Sequence, residues 1–200
     1  MLKLGLTGGI ASGKSWVANE LRELNFRVLD ADLLGHRLIE PGAAAYDEVV
    51  REFGKEILRA DCSVDRKKLG DIVFSDPAKL AKLNSILHPK IEETTNAQFA
   101  KWQSERVTDP VFVEAALLIE AGIHKRLDGL VVVWCRLEDQ ITRLRARGLS
   151  EEEARSRIAL QLPNEEKLKF ATYKIDTSGT MQYTQEQVAA LAKSLRQKQT

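Results

Sequence analysis

The sequence lacks the residues that would place it in several large classes of protein. It has two cysteines, Cys62 and Cys135, far apart in the chain, so it carries neither a disulfide framework nor the ligand spacing of a zinc site. The three histidines, His36, His88 and His124, form no cluster with them. No stretch approaches the roughly 18 uncharged apolar residues of a membrane span, and the first residues lack the basic segment and apolar run of a secretory signal. Neither sign of charge dominates. Thirty Lys and Arg stand against 29 Asp and Glu, a net charge of +1, so no global field would hold the chain to nucleic acid or to an anionic membrane. The expectation is a soluble cytoplasmic protein whose partners are small molecules. A monomer is the simplest state, with an oligomer left open.

What is present alternates short β-rich runs with longer helical patterns, which suggests an α/β fold around a parallel sheet. Strands are expected over 2–6, 26–29, 111–113 and 130–135, with a last short one around Ile175. Helices are expected over 14–24, where Val17, Leu21 and Leu24 share a face, and over 186–195. The stretch 33–106 is mainly helical in pattern and far longer than a βαβ crossover needs, so it reads as an inserted helical subdomain that covers a second substrate. The polar stretch 138–169 reads as two short helices hinged at Gly148, the second opened by a capping box at Ser150 and Glu153; that is the geometry of a lid. The core then comprises 1–32, 107–137 and 170–200, all within a single domain of 200 residues.

Directly behind the first strand stands GLTGGIASGKSW, residues 5–16. Gly8, Gly13, Lys14 and Ser15 fit G-x-x-x-x-G-K-[ST], a loop that turns backbone N–H groups inward around phosphate. Lys14 would reach the outer phosphates, the following helix would add the positive end of its dipole, and the Ser15 hydroxyl would take a magnesium ion. Asp30 and Asp32 close the second strand. Read as alternating along an extended end, they face opposite ways. Asp32 is the choice for the carboxylate that orients an attacking hydroxyl and accepts its proton, against its use as a helix cap before Leu33. Arg143 and Arg147, four apart, would project from one helical face and clamp phosphate. His88, before Pro89, reads either as a substrate contact or as a histidine at a helix break. A GTP-switch reading finds D-x-x-G at 32–35 and an approach to N-K-x-D at 173–176, but Tyr173 lacks the amide of the usual Asn.

Taken in order, GLTGGIASGKS at 5–15, DADLLGHRLIEPG at 30–42, HPKI at 88–91, EAALLIEAG at 114–122 and RIALQLPNEEK at 157–167 resemble the dephospho-coenzyme A kinase family. The resemblance implies ATP-dependent, Mg²⁺-assisted phosphorylation of the ribose 3′-hydroxyl of dephospho-coenzyme A. It implies a P-loop kinase core with an inserted helical subdomain for coenzyme A and a helical lid. It further implies that Gly8, Gly9, Ala11, Ser12, Gly13, Lys14, Ser15 and Trp16 bind the nucleotide with Arg143 and Arg147, that Ser15 holds the metal, that Asp32, Lys14 and Arg143 are catalytic, and that Asp32 and His88 meet the substrate. Ala11 stands where the family usually has glycine, Trp16 where it has a small Ser or Thr, and Ala116 where it has proline. Thr172 and Thr177 stand where it often has Asp and Asn, in a stretch that forms the adenine side of the site.

Overall fold

The computed structural model describes residues 1–197, and these hold five strands and nine α-helices. The strands are β1 (Lys3–Thr7), β2 (Arg27–Asp30), β3 (Val111–Glu114), β4 (Gly129–Trp134) and β5 (Tyr173–Asp176). They form one sheet in the order β2-β3-β1-β4-β5, with every neighbouring pair parallel. The helices are α1 (Lys14–Glu23), α2 (Ala31–Leu38), α3 (Tyr46–Phe53), α4 (Arg66–Phe74), α5 (Pro77–Ser104), α6 (Leu137–Arg145), α7 (Glu151–Ala159), α8 (Asn164–Lys169) and α9 (Met181–Gln197). The chain divides into two compact units. One is Met1–Asp30 with the residues from Val107 onward, and the other is Ala31–Arg106. No described helix is long and apolar enough to cross a membrane.

In the first unit the central strands are apolar on both faces, as a parallel sheet covered on both sides requires. Leu4 and Leu6 of β1, Phe112 of β3, Val131 and Val133 of β4 and Ile175 of β5 pack with Val17, Ala18 and Leu21 of α1 and Val188, Leu191 and Leu195 of α9. The opposite face closes tightly over Gly5, where a Cβ would fall 2.6 Å from Leu130 Cδ1. Tyr173–Asp176, the segment that mimics a guanine-reading loop, is strand β5, with Lys174 in register with Val132. The second unit has its own core, in which Val49 and Phe53 of α3, Leu69 and Val73 of α4, and Leu83 and Ile86 of α5 meet.

Several elements differ from the sequence expectations for local reasons. The helix α2 begins at Ala31, directly after β2, so Asp32 lies in a first helical turn rather than along an extended end or at a cap. The helix α5 runs through Pro89 without a break. The stop lies upstream, where Asp76 accepts from the N–H groups of Ala78 and Lys79 and Pro77 occupies the first helical position, a place where proline costs no hydrogen bond. The stretch 138–169 holds three helices, because the chain halts again at Pro163 before α8. The capping box of α7 is present: Glu153 N donates to Ser150 Oγ at 3.1 Å and Ser150 N to Glu153 Oε2 at 2.7 Å.

The helix α8 is tied to the segment that follows β3 by a buried charge. Lys167, fully buried, donates to Glu120 Oε1 at 2.6 Å and to the Ala116 carbonyl at 3.1 Å, and the same Glu120 oxygen accepts from Leu162 N. Removing one partner of such a pair leaves the other charge buried and unpaired. Glu120→Ala is therefore expected to lower unfolding stability by about 3 kcal/mol, read as a shifted denaturant midpoint with an unchanged slope.

Candidate active site

The strand β1 lies at the centre of the sheet, flanked by β3 and β4, so the loop leaving its carboxyl end opens where parallel α/β sheets bind ligands. The loop's conformation explains its composition. A Cβ on Gly8 would collide with the Val133 carbonyl oxygen and lie 2.5 Å from Ser12 Oγ. A Cβ on Gly9 would lie 2.8 Å from Gln140 Nε2. Gly13, which caps α1, has φ +86°, a left-handed conformation that suits glycine. Ser12 N closes a tight turn on the Gly9 carbonyl at 3.0 Å.

Ala11 is also left-handed, at φ +59°, which is unfavourable for a residue with a Cβ. Its methyl group is buried, however, in a small cluster with Leu144 of α6 and Ala154 of α7, flanked by Ile10 and Ile158. The packing a glycine would lose there offsets part of the backbone strain. Ser12 Oγ is the one buried side-chain polar atom among the described residues without a hydrogen-bond partner.

The chemistry-bearing side chains gather around this loop. Ser15 is exposed in the first turn of α1, where N–H groups have no intrahelical acceptor. Trp16 is half-buried against the core, and its N–H is turned onto the Gly13 carbonyl at 3.0 Å. Lys14 Nζ lies 3.0 Å from Glu114 Oε1, and Arg22 Nη2 lies 3.4 Å from the other oxygen of that carboxylate. Glu114 is buried at the end of β3 and is in register with Asp30 at the end of β2. Glu114 opens the motif at 114–122, and the sequence alone assigns it no role. Its signal is an acid closing an apolar strand at the carboxyl edge of a parallel sheet, the kind of position that also brings up Asp30 and Asp32.

The two arginines do not share a helical face. The helix α6 ends at Arg145, and the chain turns back at Gly148, whose φ is +90°. Arg143 is half-buried: Nη1 donates to the Ala11 carbonyl at 3.0 Å and to Thr177 Oγ1 at 3.1 Å, and Nη2 to the Thr177 carbonyl at 2.6 Å. Arg147 is exposed, and its guanidinium has no partner among the described residues. Thr177 is buried and donates to the Ser12 carbonyl at 2.6 Å. Thr172 pairs with β4 through Leu130, accepting the Leu130 N–H at 3.0 Å through its hydroxyl. Cys135 is buried, and burial pushes its thiol pKa up, as befits a small hydrophobe.

Asp32 and His88 belong to the second unit, on α2 and α5, which pack together where Gly35 meets Ile91. Both side chains are exposed. Desolvation by its surroundings pulls the His88 pKa below the usual histidine value, favouring the neutral ring. Among the described residues no group of three or more His, Cys, Asp or Glu is arranged to hold a metal ion by itself.

The loop's shape leaves no room for a methyl group at position 8, where the obstruction is backbone rather than a movable side chain. Gly8→Ala is expected to weaken ATP binding at least about tenfold, since re-siting the loop forfeits two or more charge-assisted hydrogen bonds; calorimetric titration of the folded variant checks it.

Comparison with known proteins agrees with this geometry. A dephospho-CoA kinase family model matches residues 2–183. A protein named dephospho-CoA kinase from Geobacter metallireducens is 45% identical over 195 residues, 96% of each chain. A crystal structure of a Thermus thermophilus protein superposes with a TM-score of 0.82 at 35% identity, covering 97% of each chain. The solved structure of dephospho-CoA kinase from Campylobacter jejuni gives 0.72 at 26% identity, covering 99% of this chain and 98% of the other. A P-loop at the centre of a five-stranded parallel sheet, matched across nearly the whole chain at this level of identity, places the protein in the dephospho-CoA kinase family.

Proposed function

We propose that the protein transfers the γ-phosphoryl group of ATP to the ribose 3′-hydroxyl of dephospho-coenzyme A, giving coenzyme A and ADP. The observation that carries this reading is the loop of residues 8–15, shaped for phosphate by clashes at Gly8 and Gly9 and a left-handed Gly13, in a chain of this family. In the transfer the acceptor oxygen forms a bond to the γ-phosphorus, and the bond from that phosphorus to the β,γ-bridging oxygen breaks. The hydroxyl proton passes to a carboxylate, and the leaving ADP keeps the electron pair.

Asp32, exposed in the first turn of α2, is the carboxylate assigned to orient the hydroxyl and take its proton. Lys14, resting on Glu114, carries positive charge to the outer phosphates. Arg147, exposed and without a partner, supplies a second cation for the charge that develops on the phosphoryl oxygens. Gly9, Ala11, Ser12 and Trp16 contribute backbone to the nucleotide loop, and Arg143 stands behind it. His88, held toward its neutral form, is offered to the substrate side as a hydrogen-bonding group rather than a charge. The segment that includes α6, α7 and α8 is the candidate lid, and residues 33–106 the candidate coenzyme A subdomain.

Magnesium fits the residues present. With no multi-carboxylate cage among the described residues, it would be held through the nucleotide's own oxygens and the Ser15 hydroxyl. When bound it would neutralise charge on the bridging phosphates.

The reading is tested by ADP formation from ATP with dephospho-coenzyme A as acceptor and adenosine, AMP and shikimate as controls. Turnover is expected with dephospho-coenzyme A alone, and Asp32→Asn is expected to lower kcat by about 10²-fold, the usual effect of losing a general base. Preference for another acceptor would leave the phosphate loop intact as a reading and remove the substrate assignment.

A further inference from the structure

Three successive carbonyls of the nucleotide loop are each held by a different side chain from outside it. The Ile10 carbonyl accepts from Gln140 Nε2 at 2.6 Å, the Ala11 carbonyl from Arg143 Nη1 at 3.0 Å, and the Ser12 carbonyl from Thr177 Oγ1 at 2.6 Å. Gln140 and Arg143 lie one turn apart on α6, and Thr177 directly follows β5. The Ile10 N–H is held as well, by Gln161 Oε1 at 2.7 Å.

The polarity of these contacts is set by the backbone. A carbonyl can only accept, so the Gln140 atom facing it is the amide nitrogen, and Gln140 Oε1 is left to accept from Asn164 Nδ2 at 3.3 Å. An N–H can only donate, so the Gln161 atom facing it is oxygen. A threonine hydroxyl has one proton; Thr177 gives it to Ser12 and takes the Arg143 N–H on a lone pair, while the Arg143 Nη2 grips the Thr177 carbonyl.

In a trans peptide the C=O and the following N–H point in opposite directions. Drawing the carbonyls of residues 10, 11 and 12 toward α6 and Thr177 therefore turns the N–H groups of residues 11, 12 and 13 the other way. That of Ser12 closes the turn on Gly9, and those of Ala11 and Gly13 have no acceptor among the described residues. Gly9 is pinned by the same arrangement, since a Cβ there would press on Gln140 Nε2 and on Asn164 Oδ1 at 3.1 Å.

We propose that Gln140, Arg143 and Thr177 are positioning residues of the nucleotide site: by holding the carbonyls of Ile10, Ala11 and Ser12 they aim the N–H groups of Ala11 and Gly13 at the polyphosphate. The proposal rests on the reading that this loop holds the phosphates of ATP. It assigns Thr177 to phosphate affinity rather than to recognition of the base, and it gives Arg143 a role exercised through the loop rather than on the transferring group.

The test uses the full chain and two ligands, ATP and inorganic triphosphate, the second having phosphates and no base, each titrated with magnesium present. Thr177→Val, which keeps the shape and removes the hydroxyl, is expected to weaken both ligands by the same factor of about five, the value of one net hydrogen bond, with the KM for dephospho-coenzyme A unchanged. Thr177→Ser, which keeps the hydroxyl, is expected to bind both within about twofold of the unaltered chain, a small part of one hydrogen bond. Unchanged affinity in Thr177→Val, a loss confined to ATP, or a failure of serine to restore binding would each overturn the proposal. Should Thr177→Val not fold, Arg143→Gln is read against the same two ligands, with equal weakening expected and unchanged or ATP-only loss overturning it. If the unaltered chain binds neither ligand, it is the nucleotide reading itself that fails.

Discussion

A backbone that must offer its N–H groups to a ligand cannot use them to hold its own shape, and residues 8–13 are such a backbone. A helix or strand saturates its donors internally; this loop closes one short turn, from Ser12 N to the Gly9 carbonyl, and needs its shape imposed from outside. The surrounding structure supplies that shape. The end of β4 presses on Gly8, the side chains of α6 approach Gly9, and Thr177 lies against Gly13. Glycine recurs there because the neighbours arrive at backbone distance, and Ala11 is accommodated because its methyl group meets Leu144 and Ala154 rather than a wall.

Charge is handled by the same economy of contacts. The first unit buries Glu114 and Lys167, and each has a partner of opposite sign. The Lys167 pair anchors α8 to the segment following β3, which steadies the stretch carrying Gln161 and Asn164 next to the loop. The Glu114 pair holds Lys14 beside the loop, with Arg22 taking the second carboxylate oxygen. A lysine resting on a buried carboxylate is already desolvated in part and already directed, so less ordering remains when a phosphate arrives.

Much of this was legible in advance. The central strands were readable because a parallel sheet buried on both faces demands continuous apolar runs, and 111–113 and 130–135 are such runs. The phosphate loop was readable because its glycine spacing reflects a local backbone requirement. Element boundaries were less so. Pro89 looked like a break, yet α5 passes through it; Asp32 looked like the end of a strand, yet the helix begins one residue before it. In both cases packing within the second unit overrode a local preference worth only a few kcal/mol.

The roles of polar side chains divide along the same line. Sequence alone determined which residues build the phosphate loop and its helix, since spacing along one continuous segment is conserved by covalent geometry. It also determined the family, because ordered motifs along the whole chain are a property of the chain itself. Only the tertiary structure decided what Arg143, Thr177, Gln140 and Glu114 do. Arg143 and Arg147 share a spacing of four and still part company, one taken by the loop and Thr177, the other left in solvent. A hydrogen bond between residues 12 and 177 depends on where two distant segments meet, and periodicity along the chain carries no record of that meeting.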